Sequence, residues 1–324
     1  MIDKTTWFSD CGWGVFCHWL GAPPSSDGGA ELTAEVWNRQ VDAFDVEGLA
    51  CQLEATGAPY FFIAIGQNSG HYITPNDVYD EYVGIQPSKC SRRDLVADLY
   101  DALHSRGIEL LVYLPSGAPA ADPVAVSRLG WEWGFEGGWP GGWRARRTGK
   151  RLAEFQKKWE KVIREWSMRW GPKVRGWWID GCYFADEMYR HSDEPNFRSF
   201  AAALKAGNPD ALVAFNPGVL IPVICHSEYE DYTAGEIASA LPECPGPWVE
   251  RNGHTAQYHI LSYLGESWCK GRPRFPDELV VGYTQHVTSK GDVITWDVPI
   301  EQVGLIPEPF VEQLTVIGKS VWKS

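Results

Sequence analysis

The sequence has no Cys-x-x-Cys pair, no His/Cys spacing suited to zinc and no G-x-G-x-x-G turn. It also has no apolar run approaching ~20 residues. Eight singly scattered cysteines argue against a disulfide scaffold and against a structural zinc site, and even the nearest pair, Cys11 and Cys17, is not expected to be bridged. Without a long apolar stretch nothing spans a bilayer. The first residues, Met1 to Trp7, lack the charged and apolar regions of a secretory leader, so a cytoplasmic location is expected, although a chain trimmed of its leader would read the same. Basic residues are outnumbered, 29 Lys+Arg against 42 Asp+Glu, for a formal net charge of -13. That balance argues against nucleic acid and anionic membranes as partners. Nothing calls for a cofactor or a metal, and nothing indicates the oligomeric state.

What the chain has in quantity is tryptophan, 17 in 324 residues. Many will be core residues, but the flat apolar face of an indole also suits stacking on the C–H face of a sugar. The length accommodates one (β/α)8 barrel of typically ~250 residues with insertions. No linker or low-complexity break divides it, so one domain covering 1–324 is expected.

Strand-like and helix-like stretches alternate from end to end. Gly14–Leu20, Tyr60–Ile65, Ile108–Leu114, Val174–Asp180, Ala211–Phe215 and Asp292–Asp297 read as buried strands. Helices are expected over Val41–Thr56, Ser91–Arg106 with Ser91 as N-cap, Leu152–Trp170, Asn196–Ala206, Thr255–Leu264, Asp277–Ser289 and Pro309–Lys319. Loops are expected at 23–29 and around Trp131, Trp133, Trp139 and Trp143, whose glycine-rich setting suits either lining a sugar site or stapling the loop. This alternation means α/β with a parallel sheet. A TIM-like (β/α)8 barrel fits better than a dinucleotide-binding sheet, because no glycine-rich turn follows the first strand.

The chain is organised around Gly176-Trp177-Trp178-Ile179-Asp180-Gly181. A carboxylate ending a buried strand sits where loops gather and substrates bind in a parallel α/β protein. Its surroundings will tune its ionisation. The plainer alternative is an Asp that caps the next turn.

Taken together, several segments resemble the catalytic domain of the α-L-fucosidases of glycoside hydrolase family 29. Gly14-Val15-Phe16-Cys17-His18-Trp19 is similar to that family's first strand, and Trp177-Trp178-Ile179-Asp180-Gly181 to the strand bearing its nucleophile. Phe44-Asp45 with Gly57-Ala58-Pro59-Tyr60, Arg93-Asp94-Leu95-Val96 through Tyr113, Trp248-Val249-Glu250 with Ser267-Trp268, and Glu278 to Gly291 resemble further barrel segments in order. The likeness includes nothing of the β-sandwich that follows the barrel in many relatives. Where the family has a His-His-Asp run that contacts fucose, this chain reads Gln67-Asn68-Ser69, with His71 nearby but out of register.

The resemblance implies a retaining, exo-acting glycosidase of divergent specificity, with Asp180 as nucleophile. Retaining hydrolysis pairs that nucleophile with a second carboxyl that acts first as acid and then as base. The dense stretch Glu228-Tyr229-Glu230-Asp231-Tyr232-Thr233-Ala234-Gly235-Glu236 supplies the candidates. Glu236 comes first, because the family segment after this strand resembles Asp231 to Glu236; Glu228 and Glu230 follow, with Glu187 or Glu250 in reserve. Sugar contacts are expected from His18, Trp19, Gln67, Asn68, His71, Tyr113 and Trp268. Each has a plainer reading as core or surface. A carbohydrate-binding barrel without catalysis is the rival reading, and burial of an acid facing Asp180 separates the two.

Overall fold

The computed structural model describes residues 4–21, 32–132 and 149–321, with the backbone of two short strands at 135–136 and 144–145. The loop at 23–29 and Trp133, Trp139 and Trp143 lie outside the described residues. Seven strands form the central sheet: β1 Trp13–Cys17, β2 Tyr60–Ala64, β3 Glu109–Pro115, β4 Gly176–Asp180, β5 Leu212–Phe215, β6 His259–Tyr263 and β7 Val293–Asp297. Their order is β6-β7-β1-β2-β3-β4-β5, and every neighbouring pair is parallel.

Crossover helices follow β1 (α1, Val46–Thr56), β2 (α2, Leu95–His104), β3 (α3, Ala153–Trp170), β4 (α4, Phe197–Leu204), β6 (α5, Asp277–Thr288) and β7 (α6, Glu308–Val321). Side chains at their starts accept the free N–H groups of the first turn: Asp45 from Gly48, Asp94 from Ala97 and Asn196 from Ser199. Asp94 thus takes the capping role expected of Ser91. Asp45 also breaks the expected helix over Val41–Thr56 into Ala34–Asp42 and α1. The expected helix over Thr255–Leu264 is instead strand His254–Gln257 followed by β6. His259-Ile260-Leu261-Ser262-Tyr263 is buried on both faces, and a short apolar run of that kind carries no periodicity to tell strand from helix.

Side chains alternate across the sheet. Val15, Phe61, Ile63, Val112, Trp177, Ile179 and Phe215 face the helices, packing with Leu49, Leu53, Leu95 and Leu99. Phe16, Phe62, Tyr113, Trp178, Ala214 and Leu261 fill the inside of the curl. Tryptophan is largely spent on the outer layer: Trp159, Trp166 and Trp170 line one face of α3, the last two with parallel rings 6.3 Å apart.

The sheet is TIM-like but not the closed eight-stranded barrel that the sequence led us to expect. Between β5 and β6 the sixth position is held by an extended segment, 231–237, which lacks a regular ladder on one side. Toward β6 its main chain pairs normally, through Thr233 N–H to the Gln257 carbonyl, Leu261 N–H to Gly235 and Ile237 N–H to Leu261, each 2.9 Å. Toward β5 only Asp231 N–H reaches a main-chain partner, the Val213 carbonyl at 2.8 Å. Side chains meet the rest. Asp231 Oδ2 accepts from Val213 N–H at 2.9 Å, Glu230 Oε2 from Phe215 N–H at 3.4 Å, and Trp178 Nε1 donates to the Ala234 carbonyl at 2.9 Å. Asp231, buried, is neutralised by Lys4 and by Lys205 at 2.6 Å.

Within this segment Gly235 has φ +61°, and a Cβ there would stand 1.9 Å from the His259 carbonyl oxygen. Gly235→Ala is therefore expected to destabilise the protein by about 2 kcal/mol or more and to shift the residue after it, Glu236. A thermal melt that leaves Tm unchanged would show that the segment accommodates the methyl. Among the described residues no helix is long and apolar enough to cross a membrane.

Candidate active site

At the C-terminal edge of the sheet the inward alternation continues for one more residue, and on β1, β4, β5, β7 and the 231–237 segment that residue is polar. Two positions past Phe16, Trp178, Ala214, Ala234 and Thr295 stand His18, Asp180, Asn216, Glu236 and Asp297. They converge because the layer below them converges.

Asp180 is the hub. Its Oδ2 accepts from the Tyr113 hydroxyl at 2.7 Å; its Oδ1 accepts from Asn216 Nδ2 at 2.8 Å and the Tyr183 hydroxyl at 3.2 Å. Its main chain is fixed by Ser116 N–H, which donates to the Asp180 carbonyl at 2.7 Å, and Gly181 then turns the chain at φ +79°. Burial and then the Asp180 charge drive the Tyr113 hydroxyl well above its ordinary range; the charge and then burial do the same to Tyr183. Both phenols therefore stay protonated and donate. Gln67 Nε2 donates to the Tyr113 oxygen at 2.7 Å, completing a relay from Gln67 through Tyr113 to Asp180.

The Asn216 amide that serves Asp180 also donates to Glu236 Oε2, at 2.7 Å. Burial, reinforced by the negative charge of Asp180, pushes Glu236 up to about 7; the Asn216 hydrogen bond and His18 pull the other way. A carboxyl near 7 beside a second carboxylate can exchange a proton at neutral pH.

His18 stands across from this pair, its ring 5.0 Å from Tyr113 and edge-on to it, with Nδ1 2.8 Å from Asp297 Oδ1. Trp268, half-buried, packs edge-to-face on Tyr263 at 4.8 Å and lies against the interior aromatics. Among the described residues no group of three or more His, Cys, Asp or Glu is placed to hold a metal ion.

No family model matches the chain, and no curated protein does. Solved structures do. An endo-fucoidan hydrolase of glycoside hydrolase family 107, MfFcnA4, superposes with a TM-score of 0.73 over 97% of this chain and 53% of its own, at 16% identity. This chain thus spans about half the length of that hydrolase. A second endo-fucoidan hydrolase of the same family, P5AFcnA, gives 0.67 over 99% and 93%, at 15% identity. The α-L-fucosidase isoenzyme 1 from Paenibacillus thiaminolyticus gives 0.63 over 98% and 74%, at 15% identity. The chain has a fucosidase-like fold. Likeness at such identities is one of fold, and it assigns the chain to neither family 29 nor family 107.

Within this fucosidase-like sheet the remaining candidates scatter. Glu228 is exposed. Glu230 is fully buried, accepting from His226 N–H and Phe215 N–H; burial pushes it up to about 8, and its place is under the loop rather than beside Asp180. Trp19 turns to the helix side, tilted against Trp37, edge-to-face on Phe44 and donating to the Gln302 carbonyl. His71 packs against Trp37 on that same outer side. Asn68 is exposed and contributes its carbonyl to Ala121. Trp131 packs on Phe155 at 4.5 Å and crowds Gly117, stapling the end of its loop. Asn216, Tyr183 and Asp297 are the functional candidates that sequence reading missed. Asp297 ends a strand that had been read and Asn216 directly follows another, at the same edge as Asp180, and that shared position was the available signal.

Proposed function

We propose that this chain is a retaining glycoside hydrolase acting on α-linked L-fucose or a closely related sugar, as one catalytic unit. Asp180 attacks the anomeric carbon while Glu236 protonates the leaving oxygen; Glu236 then deprotonates the water that releases the sugar from Asp180. The observation that carries this reading is the shared Asn216 amide. With legs of 2.8 and 2.7 Å to Asp180 and Glu236, it keeps the two oxygens it bonds no more than about 5.5 Å apart, which is compatible with the close pairing of ~5–5.5 Å suited to direct attack and short of the ~6.5–9.5 Å that leaves room for an intervening water. The acid and nucleophile roles divide by environment, since Glu236 is the group held near 7. The similarity in fold to fucoidan hydrolases and α-L-fucosidases supports the sugar class.

Specificity is expected to depart from simple fucosides. Gln67, in the place of the family's His-His-Asp run, is engaged with Tyr113, and Asn68 faces solvent. A site that hydrogen-bonds a substrate hydroxyl rejects the analogue without it by ~10⁴-fold or more, so a change of partners changes the hydroxyl pattern preferred. Across p-nitrophenyl α-L-fucoside, α-L-galactoside and β-D-galactoside, the expected result is weak turnover of the plain fucoside, better turnover of another or a decorated α-glycoside, and retention in the first product by proton NMR. A first product of inverted configuration would overturn the mechanism. The plain fucoside as best substrate by a wide margin would overturn the specificity.

A further inference from the structure

Asp297 ends β7 with its carboxylate fully buried, and both of its oxygens are engaged. Oδ1 lies 2.8 Å from His18 Nδ1, and Oδ2 accepts from Cys269 N–H at 2.7 Å. Cys269 is one of two non-glycine residues found at positive φ among the described residues, +51°. That backbone costs an ordinary side chain energy and persists where neighbours hold it. The residue before it is Trp268, whose ring packs on Tyr263. His18 is boxed between Phe16, ring centroids 4.2 Å apart, and the edge of Tyr113. Among the described residues its Nε2 makes no hydrogen bond, and its side chain keeps 10% of its exposure.

A carboxylate flanked by a main-chain N–H and an imidazole accepts from both, which places the ring hydrogen on Nδ1. In the neutral ring, Nε2 is then an acceptor. We infer that Asp297 is the positioning residue of the sugar subsite: one oxygen sets His18 to accept a hydrogen bond from a substrate hydroxyl, and the other pins the strained turn that presents Trp268 as an apolar wall. A single carboxylate thereby orients the polar and the apolar side of recognition, and the hydroxyl it selects for must donate to His18. This rests on the glycoside-hydrolase reading above.

Two measurements test it. The first needs no substrate. Long-range proton–nitrogen spectra of the full chain, labelled at histidine, report the tautomer of His18, whose signal is identified by its loss in His18→Gln. Wild type is expected to show a protonated Nδ1 and a pyridine-like Nε2. Asp297→Asn is expected to show the reverse, because its amide oxygen keeps Cys269 while its NH2 faces the ring. The reverse tautomer in wild type overturns the inference, and that spectrum decides the matter even if the variant does not fold.

The second measurement is kcat/KM on the best p-nitrophenyl glycoside and its singly deoxygenated analogues. Wild type should reject one analogue by about 10⁴-fold, and Asp297→Asn and His18→Gln should both lose most of that rejection, to within about tenfold, for the same analogue alone. Equal losses on every analogue would mark Asp297 as merely structural and overturn the inference. If wild type turns over no glycoside at all, the hydrolase reading fails, while the nitrogen spectra still decide which atom of His18 is presented.

Discussion

Asp180→Ala is expected to lower kcat/KM on an aryl glycoside by about 10⁴-fold or more while the protein still folds. The side chain is not core. It is half-buried and serves as the common acceptor for Tyr113, Tyr183 and Asn216, three donors that water can satisfy in its absence. The loss should be chemical rather than structural, so a small external nucleophile should partly replace the missing group. Azide added to Asp180→Ala is expected to restore turnover and to give a glycosyl azide of configuration opposite to the substrate, because one displacement replaces two. Activity within about tenfold of wild type, without azide, would remove Asp180 from the nucleophile role.

For Glu236→Gln the expected loss is about 10²–10⁴-fold, and it should depend on the leaving group. Substrates whose leaving group needs no proton should be nearly spared in the first step, while alkyl glycosides should suffer in full. The pH dependence follows from the environment of the side chain. Glu236 must be protonated to act as the acid, and burial together with Asp180 holds it at about 7. Raising pH through 7 therefore removes the catalytic proton, and kcat/KM of wild type should fall on that side. The glutamine variant cannot titrate, so its profile should lose this alkaline limb. A variant that keeps the limb, or loses activity equally on all leaving groups, would move the acid role to another residue. Neither Glu228, in solvent, nor Glu230, committed to His226 and Phe215, is placed to take it over.

Much of this architecture was legible in the chain, for identifiable reasons. Strands such as Tyr60–Ala64 and Gly176–Asp180 are buried on both faces, so they appear as apolar runs that end abruptly, and the abrupt ending places Asp180. Glu236 could be found only through resemblance. Its neighbours Glu228 and Glu230 are identical in type, and what separates the three is burial and a shared Asn216 bond, which depend on distant residues. The β6 strand was misread for a related reason, since five buried residues carry no period. Trp19 follows His18 directly, and in a strand-like stretch neighbours point to opposite faces. That rule already placed one of the two away from the site, and the structure shows which.

The sixth position of the sheet carries Glu236, the proposed acid, on a segment that is fastened by main chain on one flank and, beyond a single main-chain bond, by the side chains of Asp231, Glu230 and Trp178 on the other. A main-chain ladder is indifferent to sequence; a fastening made of side chains is inherited residue by residue. Single substitutions at those three positions can therefore re-seat Glu236 relative to Asp180 by fractions of an ångström while the other strands keep their register. An evolving lineage would have there a local adjustment of carboxylate spacing, and with it of reaction outcome, that does not require rebuilding the sheet.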